Sequence, residues 1–394
     1  MGALNNTPGN VISRTRVIKP SESAVRILAR ALPLNLRSPC PQMQACVVVP
    51  ARNEESGLRT LVAALARQRD SQDNRLAADS YEVILLLNNC TDGTPRLARR
   101  LQREFPRLTL HFAEVDFPTG LAHVGRARQA LFDFAFERFH SLRRLSGLIL
   151  TTDADSEPSD TWIADNLSAI SAGADGVGGR ILLYRHELAA LPVSVRRFVL
   201  LDIGYRRALE ELRALYAPEA HDPFPRHHQH FGGSLAVTAE AYVRAGGMPL
   251  RQNNEDVALF QAIAATGGRF RHSYQVKVWT SARMTGRARN GLADALVWWQ
   301  EQALNAVPVI VESASAAEAR LARIGLRRSV EPHAVTLPSF PPDPPEPAAQ
   351  AEIHETLCEL RERLELLRGL PLAARLDRAR LLHLGSAEKE EAAA

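Results

Sequence analysis

Two carboxylates, Asp153 and Asp155, follow directly on the apolar run of residues 148–150. Residues i and i+2 of an extended segment project to the same side, so both carboxylates can face one cavity. Mg²⁺ and Mn²⁺ prefer oxygen ligands and usually take one or two protein carboxylates together with phosphate groups of a substrate. The pair could therefore hold a divalent cation. The alternative is an acidic turn in which the polar side chains of residues 156–160 cap the next helix.

A second acidic pair, Glu255 and Asp256, opens a predicted helix that runs to about residue 265. The dipole of a helix stabilises a carboxylate at this end as an anion, and a general base must be deprotonated at neutral pH. The pair could therefore supply a general base. The alternative is an ordinary acidic first turn.

Positive charge is concentrated in residues 280–291, where Arg283, Arg287 and Arg289 surround two glycines. A planar guanidinium suits bidentate contacts with phosphate, and glycines let a loop close over a ligand. Arg283 is the predicted contact of a leaving diphosphate, and a solvated basic loop is the alternative.

Histidines crowd another segment, which contains His221, His227, His228 and His230. Their spacing is not the regular one of a structural zinc site, so a loop near the entrance of a second substrate is favoured. His272 lies in a predicted strand and is a weak candidate for a metal ligand. The alternative is a histidine that is packed and hydrogen-bonded.

The elements that must position these side chains alternate between strand and helix. The predicted strands are residues 45–50, 81–87, 108–115, 148–151 and 176–183, and the predicted helices are residues 54–67, 94–105, 121–139 and 159–171. Strands that are apolar throughout indicate an α/β fold with a mostly parallel, Rossmann-like sheet and helices on both faces. In such sheets ligands bind beyond the carboxyl ends of the strands, where Asp153 and Asp155 lie.

The flanking segments differ from this core in composition. Residues 1–44 are an irregular basic arm with a short predicted helix near residues 24–32, and a longer helix is predicted at about 195–215. A helical extension (292–338), a proline-rich linker (339–350) and an amphipathic helix with a tail (351–394) follow. An apolar stripe on the last helix predicts packing against the main domain or a second subunit, with a regulatory role as the alternative. The stripe is Ile353, Leu357, Leu360, Leu364 and Leu367.

Composition bounds the class of protein. The chain has 394 residues and a net charge of +4, and the first 44 residues carry six cations and one acid, so the remainder is nearly neutral and a nucleic-acid binder is not indicated. Four cysteines without a CxxC pair favour reduced thiols and a cytoplasmic location. No run of 18 apolar residues predicts a membrane span, although the basic arm leaves peripheral contact with the inner face of the membrane open.

Four motifs together resemble the family 2 glycosyltransferases, which have the GT-A fold. They are VVVPARNEES (47–56), LLLNNCTDGT (85–94), TTDADSEP (151–158) and FGGSLAVTAEAYVRAGGMPLRQNNEDVALFQAI (231–263). The first three occur in the order and at the spacing of that family, and the fourth resembles its acceptor half. The resemblance covers residues 45–291, with a nucleotide-sugar half at 45–183 and an acceptor half at 184–291. It implies a nucleotide-sugar donor and a hydroxyl acceptor that is a saccharide, a lipid-linked sugar or a small molecule.

The resemblance also implies site residues. Asp155 would bind Mg²⁺ or Mn²⁺, Asp153 would be shared between the metal and the ribose, and Asp256 would be the general base of an inverting transfer, with Glu255 beside it. The implied contacts of the nucleotide sugar are Pro50, Arg52, Glu54, Asn88, Asn89, Arg126, Asp153, Arg283 and Arg287, and those of the acceptor are Gly232, Gly233 and Ser234.

The chain departs from the family pattern at two places. Asn88 and Asn89 stand where relatives often have acids, and Arg126 and Arg128 stand where many relatives have a helix start with lysine and asparagine. Two alternative functions stay open: a retaining or nucleotidyl transferase with the same metal pair, and a non-catalytic partner of a glycan assembly system.

Overall fold

The computed structural model describes residues 21–284, 291–330 and 349–391, with side chains up to residue 381. The strands are β1 (Ala45–Ala51), β2 (Tyr81–Asn88), β3 (Leu110–Val115), β4 (Leu148–Thr152), β5 (Glu157–Pro158), β6 (Gly176–Leu183), β7 (Ser234–Thr238), β8 (Phe270–Thr280), β9 (Ile310–Glu312) and β10 (Gln350–Glu352). The helices are α1 (Glu22–Arg30), α2 (Leu58–Ala66), α3 (Thr94–Glu104), α4 (Val124–Ser141), α5 (Trp162–Ser171), α6 (Arg185–Ala190), α7 (Val193–Tyr216), α8 (Ala239–Arg244), α9 (Glu255–Ala265), α10 (Leu292–Leu304), α11 (Ala314–Val330), α12 (Ile353–Arg368) and α13 (Leu372–Glu391).

Eight strands form one sheet in the order β3-β2-β1-β4-β7-β6-β8-β5. Strands β3, β2, β1 and β4 are parallel, and α2, α3 and α4 make the connections between them in the chain. Strand β7 runs antiparallel between β4 and β6, and β8 pairs parallel with β6. The predicted α/β fold with a mostly parallel sheet is therefore confirmed.

Helices cover both faces of this sheet because successive residues of a strand point to opposite sides. Cys46 and Val48 of β1 pack with α4 on one face, whereas Val47 and Val49 pack with α2, α3 and α5 on the other. Every residue of β1, β2 and β4 is buried, which explains why these strands are mostly apolar.

Several predicted boundaries shift for local reasons. The helix predicted from residue 54 begins at Leu58, because the backbone N–H of Glu54 donates to the Thr94 hydroxyl (2.8 Å) and residues 54–57 form a turn. Helix α4 begins at Val124, where His123 Nδ1 caps the helix by accepting from the N–H of Arg126 (3.2 Å).

The apolar stripe of α12 is buried and packs against α7 and α11 of the same chain. Glu318 of α11 is fully buried there and binds Arg363, Arg378 and the Tyr216 hydroxyl. The predicted linker lies outside the described residues except for 349–350, as do residues 1–20 of the predicted arm. Within the part of the chain that the structure describes, each helix is too short or too polar to span a bilayer.

Candidate active site

The loops that follow β1, β2 and β4 meet at the carboxyl edge of the sheet. The N–H of Thr91, after β2, donates to Asn53 Oδ1, after β1 (2.8 Å). Arg283, after β8, contacts Asp155 Oδ2 at 2.7 Å and Glu54 Oε1 at 3.7 Å, which ties the β4 loop to the β1 loop. The edge therefore gathers four of the segments that the sequence analysis singled out.

Three turns at this edge are made by asparagines with left-handed backbone. Asn53, Asn89 and Asn254 have φ of 56°, 50° and 59°, a conformation that asparagine tolerates better than most residues. The Asn89 amide also donates to the carbonyl of Phe117 (2.9 Å) and accepts from its N–H (3.2 Å). Asn89 thus fixes the loop after β3, so a nucleotide base would have to compete for its side chain.

Arg128 of α4 lies at the centre of the site and is only 4% exposed. Its guanidinium donates to Asp153 Oδ1 (2.8 Å) and also binds the carboxylate of Glu255. A Cβ at Gly232 would collide with this guanidinium, so the loop that precedes β7 (residues 230–233, here called the β7 loop) can approach it only with glycine at that position. One buried cation therefore joins the acid pair after β4 to the acid pair that opens α9.

The charges around Arg128 shift the titration of its neighbours. Burial raises the pKa of Glu255, which is 2% exposed, and Asp256 adds to the shift while Arg128 opposes it. The Asp153 side chain is 46% exposed, but partial desolvation by the surrounding protein raises its pKa. The negative charges of Asp155 and Asp256 raise it further. Burial tends to lower the pKa of Arg128, but the neighbouring carboxylates raise it. The site therefore concentrates negative charge.

Asp256 is half-buried and faces the β7 loop. The N–H of Gly232 donates to Asp256 Oδ2 (2.5 Å), and the N–H of Val257 donates to Oδ1 (2.7 Å). These bonds hold the carboxylate in place. Glu255, by contrast, points into the interior towards Arg128.

The three residues predicted to contact an acceptor do not share one orientation. Gly232 touches Asp256, and a Cβ at Gly233 would lie 3.2 Å from Asp153 Oδ2. Ser234 is buried in β7, where its hydroxyl accepts a hydrogen bond from the indole of Trp162 (3.0 Å). Only the two glycines therefore lie against the carboxylates.

Several predicted contacts of the nucleotide sugar face elsewhere. Arg126 lies 5.7 Å over the ring of Phe117 and donates to Gln129 (2.8 Å). Because residues two apart on a helix point in nearly opposite directions, Arg126 and Arg128 cannot both reach the acids. Arg52 is exposed and donates to the carbonyl of Ala122 (3.0 Å). Two other predicted contacts, Pro50 and Asn88, are buried in strands, and Arg287 lies outside the described residues.

His272 does not face the acidic pair as a metal ligand would. Its Nδ1 binds Asp222 Oδ2 (2.8 Å), and its Nε2 lies 3.3 Å from His230 Nδ1. Both ring nitrogens are therefore engaged, as expected for a packed and hydrogen-bonded histidine. Among the described residues, no cluster of three or more His, Cys, Asp or Glu side chains could hold a metal ion. We therefore leave His272 out of the metal site.

Sequence reasoning grouped Arg128 with Arg126 and missed that Arg128 contacts both acid pairs. A signal was available in the pattern of α4, where residues 127 to 136 are all buried and Arg128 is a lone cation among them. A buried arginine is expected to have carboxylate partners. The two acid pairs already singled out were among the acids predicted to lie at the same edge of the sheet.

Residues 46–220 match the family model described as glycosyl transferase family 2. No curated protein sequence matches the chain. One similar solved structure is that of residues 1–349 of S. aureus TarS in complex with UDP-GlcNAc, with 13% identity and a TM-score of 0.42. The match covers 72% of this chain and 66% of that one, so this chain spans just under two thirds of the TarS fragment.

Another similar structure is the mannosyltransferase PcManGT from Pyrobaculum calidifontis with GDP-Man and Mn²⁺, with 17% identity, a TM-score of 0.41 and coverage of 93% of this chain and 83% of that one. The family match spans β1 to β6 and includes Arg128, Asp153 and Asp155. The similarity to glycosyl transferase family 2 therefore lies in residues 46–220, which contain the strands β1, β2, β3 and β4 that carry the acidic loop.

Proposed function

We propose that the chain transfers a sugar from a nucleotide-diphosphate sugar to a hydroxyl acceptor, with a divalent cation and with inversion at the anomeric carbon. The observation that carries this proposal is the contact of Arg128 with both Asp153 and Glu255. It brings the donor-side acids of β4 next to the acceptor-side acids of α9, as a direct transfer between two substrates requires.

The side chains at the β4 edge fit a divalent cation. Asp153 and Asp155 offer carboxylate oxygens, and a hard cation such as Mg²⁺ or Mn²⁺ needs only one or two of these when substrate phosphates complete its coordination. Desolvation raises the pKa of Asp153 and the negative charges of Asp155 and Asp256 raise it further, and a cation would relieve the repulsion between these acids. The missing side chain at Gly233 leaves room beside Asp153 Oδ2. Asp153 and Asp155 would hold the cation, which when bound would neutralise the diphosphate as a Lewis acid.

Arg283 supports binding of the diphosphate. Its guanidinium contacts Asp155 at 2.7 Å and is 30% exposed, so it lies at the edge of the acidic pair with donors that phosphate oxygens can reach. An incoming diphosphate would compete with Asp155 for these donors. We propose Arg283 as the residue that stabilises the charge of the leaving group.

Asp256 is the proposed general base. Each of its oxygens accepts one backbone N–H and keeps a lone pair for a substrate hydroxyl. Asp256 would take the hydroxyl proton while the acceptor oxygen attacks the anomeric carbon and the bond to the diphosphate breaks on the opposite face, which inverts the configuration. Glu255 is buried against Arg128 and would position the start of α9.

The proposed partners follow from this chemistry. We propose a saccharide, a lipid-linked sugar or a small molecule as the acceptor, and no nucleic acid as a partner. The four free cysteines suit a reducing compartment such as the cytoplasm. Homodimer formation and peripheral membrane contact stay predictions from the sequence.

The experiment has two steps. A thermal-shift screen of UDP-, GDP- and dTDP-sugars with and without Mn²⁺ identifies the donor, and the anomeric configuration of the product is then followed by NMR for the wild type and for Asp256→Asn. We expect an inverted product and a fall of about 10²- to 10⁴-fold in the rate of Asp256→Asn. Full activity of this variant would refute the base, and a retained configuration would favour the retaining alternative. Absence of binding and turnover in a folded protein would favour the non-catalytic alternative.

A further inference from the structure

Three buried side chains, those of Asp222, His272 and His230, form a hydrogen-bonded series behind the β7 loop. Asp222, which is 1% exposed, accepts hydrogen bonds from the backbone N–H of His272 (2.9 Å) and from its Nδ1 (2.8 Å). His272 Nε2 meets His230 Nδ1 at 3.3 Å. Arg226 and Arg271 contact the two oxygens of Asp222 at 2.8 and 2.7 Å, so its carboxylate is held from several sides.

The direction of the hydrogen bond between the two rings depends on their tautomers. A neutral His230 ring carries one N–H and one lone pair, so its Nδ1 can take part in this bond in either tautomer. Burial lowers the pKa of His230 well below its usual range, which is consistent with a neutral ring.

His230 also packs against the helix that carries the proposed base. Its ring stacks on Phe260 with a centroid distance of 4.0 Å and an interplanar angle of 16°. Phe260 follows Asp256 by four residues, so both side chains lie on the same face of α9. Two residues after His230, the N–H of Gly232 donates to Asp256. Residues 230–232 thus contact α9 at two points one helical turn apart.

We propose that His230 is a positioning residue for Asp256. The bond to His272 and the stack on Phe260 fix residues 230–232, so that the N–H of Gly232 meets the Asp256 carboxylate and holds it towards the acceptor. His230 acts only through this loop. The inference rests on the proposed role of Asp256 as the general base.

Two substitutions separate the contacts of His230. His230→Phe keeps a ring over Phe260 and removes the hydrogen bond to His272, whereas His230→Asn keeps an N–H donor near the position of Nδ1. A displaced base reduces the rate of the chemical step more than it reduces donor binding. With the donor found by the thermal-shift screen and Mn²⁺, we expect kcat of His230→Phe to fall about 10- to 100-fold with the donor KM unchanged, and His230→Asn to recover part of the loss.

Hydrogen exchange measured by mass spectrometry gives a readout without any substrate. In the free full-length protein, His230→Phe should speed exchange in the peptide that contains Gly232 and leave peptides of β1 and β2 unchanged. His354→Phe is the control, because His354 is exposed on α12, and it should change neither exchange nor kcat. If His230→Phe does not fold, Phe260→Leu removes the stack instead and should show the same local change.

A double-mutant cycle decides between positioning and general weakening. If His230 acts through Asp256, His230→Phe should reduce kcat no further in an Asp256→Asn background. Equal losses in both backgrounds, or a donor KM that rises in step with the fall of kcat, would overturn the proposal. If Asp256→Asn is inactive while His230→Phe keeps wild-type kcat and exchange, the positioning role alone is refuted. Full activity of Asp256→Asn would instead refute the proposed function.

Discussion

Replacing Arg128 by methionine tests the central contact of the site. The substitution keeps an unbranched side chain and removes the buried cation between Asp153 and Glu255. Glu255 is 2% exposed and would be left as a buried, unpaired acid. Removal of one partner from a buried ion pair typically lowers the free energy of unfolding by about 3–5 kcal/mol. At about 2–4 °C per kcal/mol for a domain of this size, the melting temperature should fall by about 6–20 °C.

The pH dependence of this loss has a definite sign. Burial already raises the pKa of Glu255, and removal of Arg128 takes away the charge that opposes the shift. A carboxyl with a raised pKa in the folded state binds its proton more tightly when folded, so stability falls as the pH rises above the unfolded pKa. The destabilisation by Arg128→Met should therefore be small near pH 4 and large near pH 8, as measured by urea unfolding.

A compensating substitution sharpens the test. In Arg128→Met with Glu255→Leu, both partners of the buried pair are apolar, so most of the lost stability should return. Catalytic turnover should not return, because Asp153 and the start of α9 are no longer joined. Equal stability of the wild type and Arg128→Met at both pH values, or a double variant no more stable than the single one, would refute this account of the pair.

Three further predictions concern other parts of the chain. Burial raises the pKa of Asp133 to about 6, so as the pH rises from 4 to 6 the wild type should lose about 2 kcal/mol of stability that Asp133→Asn does not lose; an equal dependence of stability on pH in both proteins would contradict this. Glu318→Gln should lower the free energy of unfolding by about 1–3 kcal/mol, because two partly exposed arginines lose a buried, charged partner, and donor binding should stay unchanged. Gly232→Ala should abolish most turnover through its collision with Arg128, whereas Gly120→Ala, where a Cβ has open space, should behave as wild type in the same assay.

Much of the fold could be predicted because the central strands are buried on both faces. Strand β6 (Gly176–Leu183) and helix α9 (Glu255–Ala265) have the predicted bounds, since an apolar run and a strong acidic start leave little ambiguity. Strand β7 (Ser234–Thr238) was not predicted. Its five residues become a strand by pairing antiparallel with both β4 and β6, and such long-range pairing leaves no local signal.

The site could be predicted less completely than the fold. The acidic pairs were found because carboxylates at strand and helix ends have a chemical meaning of their own. The roles of Arg126 and Arg128 could not be separated, because the choice depends on which side of α4 faces the sheet edge. The contacts of His230 and His272 depend on a loop that returns to α9, so no spacing in the sequence indicates them.

The most direct test of the account is calorimetric titration of UDP, GDP and dTDP into the full-length protein with and without Mn²⁺. We expect one of the three nucleotides to bind with an affinity that depends on Mn²⁺. Asp155→Asn should lose this dependence, whereas Asp165→Asn, a matched change on α5, should keep it. Binding that is equally strong with and without Mn²⁺, or equally strong in the wild type and Asp155→Asn, would contradict a metal and diphosphate site at the carboxyl edge of β4.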